Sequence, residues 1–147
     1  MTASADSRPR VAILLSTFDG VPFLQEQLDS LVDQSLRDWT LYWRDDGSTD
    51  GTVAVMQAFM AGAGAGRCVA VAGVPGRVGP SASFMSLLRA AAADDPDVAA
   101  FADQDDVWLP EKLARGAAAL PQDGRAALYC TRQVLVDQDL RRIGESA

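Results

Sequence analysis

Residues 101–110 read Phe-Ala-Asp-Gln-Asp-Asp-Val-Trp-Leu-Pro, so Asp103, Asp105 and Asp106 crowd the point where an apolar run becomes a helix start. Three carboxylates this close repel one another. Hard oxygen ligands at the end of a buried strand are what Mg²⁺ or Mn²⁺ needs to hold the phosphates of a substrate. A second acidic cluster, Arg44-Asp45-Asp46-Gly47-Ser48-Thr49-Asp50-Gly51, follows the apolar run at residues 39–43. Both clusters are therefore expected at carboxyl ends of strands, where open α/β sheets bind ligands.

The two clusters suit different parts of a nucleotide-linked substrate. A carboxylate of the first can accept a hydrogen bond from the imide N–H of uracil or thymine, and Asp46 is the candidate. In the second, side chains two apart on an extended backbone share a side, so Asp103 and Asp105 face one pocket and Gln104 the other way. Asp105 is then the metal ligand, with Asp103 on a ribose or a metal-bound water. Simpler structural roles compete. Asp-Gly-Ser-Thr-Asp is also an ordinary turn and helix cap, Asp50 is read mainly as that cap, and Asp106 is a candidate cap for the next helix. Phe18 and Trp108 can stack on a base or sugar, or serve as core.

The elements that must position these residues alternate in type. Residues 10–16 form a continuous apolar run that predicts a buried strand, and Pro22 opens a helix with Phe23, Leu24, Leu28, Leu31 and Val32 on one face. Residues 39–43 predict a second strand, and Ser48, Thr49 or Asp50 caps a helix carrying Val53, Met56, Gln57 and Met60. The alternating Ala-Gly stretch at 61–66 follows a helix instead of a strand, which makes it a turn and not a dinucleotide loop. A strand at 68–72, a Gly-Pro loop at 73–80, a helix at 81–93 with Phe84, Leu87 and Leu88 inward, and a strand at 98–102 come next. Pro110 starts a helix reaching Leu120, and strands at 126–130 and 133–136 are expected to form an antiparallel hairpin beside the sheet. Repeated strand and helix predict an α/β fold, with a mostly parallel sheet flanked by helices.

Composition narrows the functional classes. The 147 residues, 48% of them hydrophobic, suit one globular domain over residues 10–147 behind a disordered tail at 1–9. A net charge of -7, with thirteen scattered basic residues, argues against nucleic-acid binding. With no histidine, Ser-His-Asp and Cys-His schemes are excluded, leaving carboxylates and metal for catalysis. Cys68 and Cys130 are expected as buried, reduced thiols. No apolar run is long enough to span a bilayer and residues 1–10 lack a signal-peptide centre, so a cytoplasmic location is expected, with docking on the inner face of a membrane left open.

Four blocks in this order resemble the N-terminal part of a family 2 glycosyltransferase with the GT-A (Rossmann-like) fold. They are Leu15-Ser16-Thr17-Phe18-Asp19-Gly20; Gln27-Leu28-Asp29-Ser30-Leu31 with Gln34-Ser35; Asp45-Asp46-Gly47-Ser48-Thr49-Asp50-Gly51-Thr52; and the run from Asp103 to Leu113. The Asp-Gln-Asp-Asp form is similar to that of rhamnosyltransferase-like members that build surface polysaccharides. The resemblance implies inverting transfer of a sugar from a UDP-, dTDP- or GDP-linked donor to an acceptor hydroxyl. It implies Ser16, Thr17 and Phe18 lining the nucleotide pocket, Asp46 on the base, Asp103 with Asp105 as the Asp-x-Asp motif, and Mg²⁺ or Mn²⁺ as cofactor.

Departures from the family pattern accompany the match. Asp19 stands where Asn is usual, and Arg77-Val78-Gly79 and Ser83-Phe84 replace the usual Asn-x-Gly and Asn-Phe, with Arg77 placed to meet a phosphate. The family's catalytic base is expected beyond Ala147, and Glu145 is not assigned that role. The fold is accordingly expected to end short on its C-terminal, acceptor-binding side, leaving an apolar edge through which residues 126–136 form a homodimer. Two other readings remain at this point. One is a non-catalytic, metal-dependent nucleotide-binding or assembly module. The other is a receiver-like phosphoacceptor domain, which needs a lysine on a late strand, whereas Lys112 falls in a helix.

Overall fold

A computed structural model describes residues 8–73 and 76–146. The expected tail at residues 1–9 lies outside them except for Arg8 and Pro9. The chain divides into two compact units, residues 1–114 and 115–147.

The first unit is built on four strands, β1 (Val11–Thr17), β2 (Trp39–Asp45), β3 (Cys68–Ala70) and β4 (Val98–Ala102). They form one parallel sheet in the order β3-β2-β1-β4. Helices α1 (Val21–Val32), α2 (Thr52–Ala61) and α3 (Pro80–Ala92) connect them, and α4 (Lys112–Ala119) follows β4. The alternation of side chains along β1 divides the core. Val11, Ile13 and Leu15 join Leu24, Leu28 and Leu31 of α1 and Met56 and Phe59 of α2, while Ala12 and Leu14 join Leu87 and Ala91 of α3. Helices therefore cover both faces, which is why β1 reads as an unbroken apolar run.

The strand order has a consequence for binding. The chain runs from β1 outward through β2 to β3, then returns by way of α3 to place β4 on the other side of β1. The direction of winding reverses between β1 and β4, and the crevice beyond their carboxyl ends is the topological switch point where such sheets take ligands.

Several expectations need correction. Phe23 is exposed, because α1 turns Leu24, Gln27, Leu28, Ser30 and Leu31 inward instead. The third strand stops at Ala70. α2 has Gly51 at its N-cap without a side-chain cap, and Asp50 accepts from the first helical amide, Thr52 N, at 2.9 Å. Asp106 does not cap the next helix, which begins six residues later at Lys112.

In the second unit, β5 (Val134–Val136) pairs antiparallel with β6 (Arg142–Glu145). The hairpin expected between 126–130 and 133–136 does not form: the apolar stretch 126–130 is not a strand, and 134–136 pairs with the later segment 142–145 instead. Cys130 in that stretch is exposed, contrary to expectation, and Cys68 is half-buried.

Candidate functional site

A cleft of about 280 Å³ opens at the switch point, lined by Ser16, Thr17, Phe18, Asp46, Arg77, Pro80, Phe84, Asp103, Gln104 and Asp105. All seven residues singled out from the sequence border this one space. Ser16, Thr17 and Phe18 leave the end of β1, Asp103 and Asp105 follow β4, Asp46 follows β2, and Arg77 lies in the loop before α3.

The phase of each strand decides what these side chains do. Ser16 continues the Ala12 and Leu14 face and meets α3, where its hydroxyl donates to Ser83 Oγ at 2.6 Å. Thr17 points to the opposite face and is fully buried. Its hydroxyl donates to Asp45 Oδ1 and accepts from Trp43 Nε1, both at 2.9 Å. That hydroxyl is committed to holding β1 against β2.

Asp46 is 3% exposed and forms a 2.7 Å ion pair with Arg44. Its Oδ1 also accepts from Val78 N, and its Oδ2 accepts from Gly79 N, each at 2.8 Å. Burial pushes this carboxyl up, but the Val78 amide, the Arg44 guanidinium and the Gly79 amide more than reverse that, and its pKa lies below the ordinary carboxylate value. Asp46 thus fastens the two residues that follow Arg77. Arg44 also donates to Ser83 Oγ at 3.0 Å, tying β2 to α3 beneath the same loop. Arg77 itself is exposed and lies with its guanidinium carbon 3.8 Å from the centre of the Phe18 ring.

The first acidic loop is organised by its own carboxylates. Asp45 Oδ2 accepts from Gly47 N and Ser48 N at 3.1 and 2.8 Å. Asp19 adopts φ 44, a left-handed conformation that Asn and Asp tolerate, and its Oδ1 accepts from Thr49 N at 2.7 Å. Asp50 accepts from Thr52 N and, at 3.3 Å, from Val21 N, placing one negative charge at the starts of both α1 and α2.

The second acidic loop departs from the extended form expected of it. β4 ends at Ala102, and a turn follows in which Asp106 N donates to Asp103 O at 3.4 Å. Asp103 and Asp105 line the same cleft as expected, but Gln104 lines it too, because a turn abolishes the strict alternation of a strand. Partial desolvation and then the charge of Asp105 push the Asp103 carboxyl up. Desolvation, then Asp103 and Asp105, do the same to Asp106.

Those shifts are what a cation would relieve, and carboxylate oxygens are the donors Mg²⁺ and Mn²⁺ prefer. Among the described residues no group of three or more His, Cys, Asp or Glu side chains is arranged to hold a metal. The residues present fit a cation bound by one or two carboxylates and completed by substrate phosphates, the usual arrangement for Mg²⁺.

Sequence reasoning quoted the polar side chains of α1 within a family block but gave them no role in supporting this loop. Gln27, Ser30 and Gln34 are buried on the inner side of α1 and the turn after it. Ser30 Oγ accepts from Trp108 N, and Gln34 Oε1 from Leu113 N, each at 3.0 Å, while Gln34 Nε2 donates to Leu109 O at 2.9 Å. Polar residues at positions 27, 30 and 34, in phase with Leu24, Leu28 and Leu31, were the available signal. Trp108, held by Ser30, is core.

The sequence profile described as Glycosyl transferase family 2 matches residues 12–144. The chain is 27% identical over 103 residues to the dTDP-rhamnosyl transferase RfbG of Shigella flexneri, covering 67% of this chain and 34% of that protein. It therefore spans about a third of the length of that curated relative. Among solved structures, the mannosyltransferase PcManGT from Pyrobaculum calidifontis in complex with GDP-Man and Mn²⁺ superposes with a TM-score of 0.67 at 24% identity, over 78% of this chain and 34% of that one. S. aureus TarS 1-349 in complex with UDP-GlcNAc superposes with a TM-score of 0.64 at 22% identity, over 74% of this chain and 30% of that one. These likenesses give the fold, which is GT-A. With the profile match running through both acidic clusters and nearly the whole length, the chain belongs to glycosyl transferase family 2.

Proposed function

We propose that this chain forms the donor-binding part of an inverting glycosyltransferase that moves a sugar from a nucleotide-diphosphate sugar to an acceptor hydroxyl. The observation that carries the reading is the convergence of Ser16, Thr17, Phe18, Asp46, Arg77, Asp103 and Asp105 on one cleft at the β1–β4 switch point. The base and ribose lie along Ser16, Thr17 and Phe18. Asp46 shapes that end of the pocket through Val78 and Gly79, and in this reading it meets the imide N–H of a pyrimidine base. Arg77 meets the diphosphate, and Asp105, with Asp103, holds Mg²⁺ or Mn²⁺. When bound, that cation neutralises the charge that grows on the leaving diphosphate. Asp103 and Asp105 would hold it, and Arg77 adds a planar, permanently charged donor within the same cleft. Direct attack on the anomeric carbon inverts its configuration and requires a carboxylate to take the acceptor's proton. None of the residues lining the cleft is assigned that role.

The likeness to a dTDP-rhamnosyl transferase supports a dTDP-linked deoxysugar donor; a role in surface polysaccharide synthesis, at the inner face of the membrane, is part of the same proposal. No described helix is long and apolar enough to cross a membrane. The exposed apolar side chains Leu128, Tyr129, Val134 and Leu135 support self-association through residues 126–136, which sedimentation over a range of concentrations tests.

Calorimetric titration of UDP, dTDP and GDP in Mn²⁺ tests the donor site and identifies the base. Saturable binding of one nucleotide is the expected result. Binding of none contradicts the reading, and binding without any turnover of the matching sugar donor would favour the non-catalytic module.

A further inference from the structure

The Gln104 side chain is held at both polar ends by the backbone of a single residue. Its Oε1 accepts from Phe18 N and its Nε2 donates to Phe18 O, each at 2.9 Å. The amide thereby imitates the paired bonds with which a neighbouring strand continues a sheet. Strand pairing between β1 and β4 ends at Leu15 and Ala102. Gln104 carries the connection beyond the point where the sheet stops, into the cleft.

The amide needs room beside Gly20. A Cβ placed on Gly20 would lie 2.3 Å from Gln104 Oε1 and 2.5 Å from its Cδ. Gly20 has φ -102, which any residue adopts. Glycine is needed there for space and not for backbone freedom. Gln104 is flanked by Asp103 and Asp105, and the residue it grips presents the ring on which Arg77 lies. It lines the same cleft as these carboxylates and Arg77.

We propose that Gln104 is a positioning residue of the donor site: by gripping Phe18 it fixes Asp103 and Asp105 relative to Phe18 and Arg77, so that both sides engage one nucleoside diphosphate, and Gly20 keeps its seat open. The proposal rests on reading the cleft as a metal-dependent nucleoside-diphosphate site. A residue that merely braced the fold would lower thermal stability and leave the gain in affinity due to metal intact. A positioning residue reduces that gain, because the metal-bearing side and the Phe18 side no longer meet the ligand together.

The test compares wild type, Gln104→Ala, Gly20→Ala and the double variant. UDP, dTDP and GDP are titrated in Mn²⁺ and in EDTA, with thermal unfolding and amide hydrogen exchange at Phe18 alongside. Loss of two hydrogen bonds predicts that each single variant loses about tenfold of the Mn²⁺-dependent affinity. The double variant should be no weaker than either single one, because the added methyl has nothing to displace once Gln104 is truncated. Phe18 N should exchange faster in Gly20→Ala, a variant that keeps the amide and remains informative if Gln104→Ala does not fold. Wild-type affinity in Gln104→Ala or Gly20→Ala, or losses that add in the double variant, overturns the proposal while leaving the donor site standing. A wild-type chain that binds no nucleotide in Mn²⁺ overturns the donor-site reading and this proposal with it.

Discussion

The guanidinium carbon of Arg77 lies 3.8 Å from the centre of the Phe18 ring, in a cleft that Asp103 and Asp105 also line. The aromatic face offered to a nucleotide is thus already paired with a cation suited to phosphate. Replacing Arg77 with alanine should weaken binding of a nucleoside diphosphate about tenfold and of the free nucleoside much less. Arg77→Lys should restore only part, since an ammonium keeps the charge but neither the planar fork nor the stacking. Calorimetry with both ligands separates these effects. Equal losses for nucleoside and diphosphate would place Arg77 on the base instead.

Asp46 makes a prediction about acid stability. Its folded pKa is depressed, so its contribution is fully present above the unfolded carboxylate value and is lost as pH falls through the folded one. Asp46→Asn breaks the buried ion pair with Arg44 and turns an amide N–H toward one of the two backbone donors, which should cost about 3–5 kcal/mol at neutral pH. The gap between wild type and variant should narrow as pH drops from about 5 to about 2. Urea unfolding across that range reads it. A gap independent of pH would mean that shape, and not charge, holds the loop.

The thiols should react at very different rates. Cys130 is exposed, while Cys68 is half-buried and its pKa is pushed up to about 11, chiefly by burial. A thiol reagent at pH 8 should modify one cysteine quickly and the other slowly in the native protein. Cys130→Ser should abolish the fast phase.

Sequence reading succeeded where one local signal sufficed. The apolar run of β1 and the acids after β2 and β4 located the strand ends, and a parallel α/β order then implied that those ends meet. It failed where the answer depended on geometry between segments. Alternation along Asp103-Gln104-Asp105 turned Gln104 away, because a strand was assumed where the backbone turns and only the facing Phe18 reveals the amide's partner. Phe23 looked like part of the apolar stripe of α1, yet Gln27 and Ser30 take inner positions, where Ser30 Oγ accepts from Trp108 N and donates to Gln27 Oε1. In the second unit, Ala-Ala-Leu-Tyr-Cys at 126–130 has the composition of a strand. Arg-Ile-Gly-Glu at 142–145, with a single large apolar residue, is the segment that pairs with β5.

The proposed donor site requires Asp103 and Asp105 to hold a divalent cation jointly with the diphosphate of a nucleotide donor. Titration of Mn²⁺ followed by electron paramagnetic resonance, with and without the nucleoside diphosphate that the chain binds, tests it most directly. With no group of three or more His, Cys, Asp or Glu side chains arranged to hold a metal among the described residues, Mn²⁺ alone should bind weakly, and at least tenfold more tightly with the diphosphate, a gain abolished in Asp105→Asn. That variant should be about as stable as wild type, because it removes a like charge beside Asp103. Mn²⁺ affinity that does not respond to the diphosphate, or that persists unchanged in Asp105→Asn, would contradict the account.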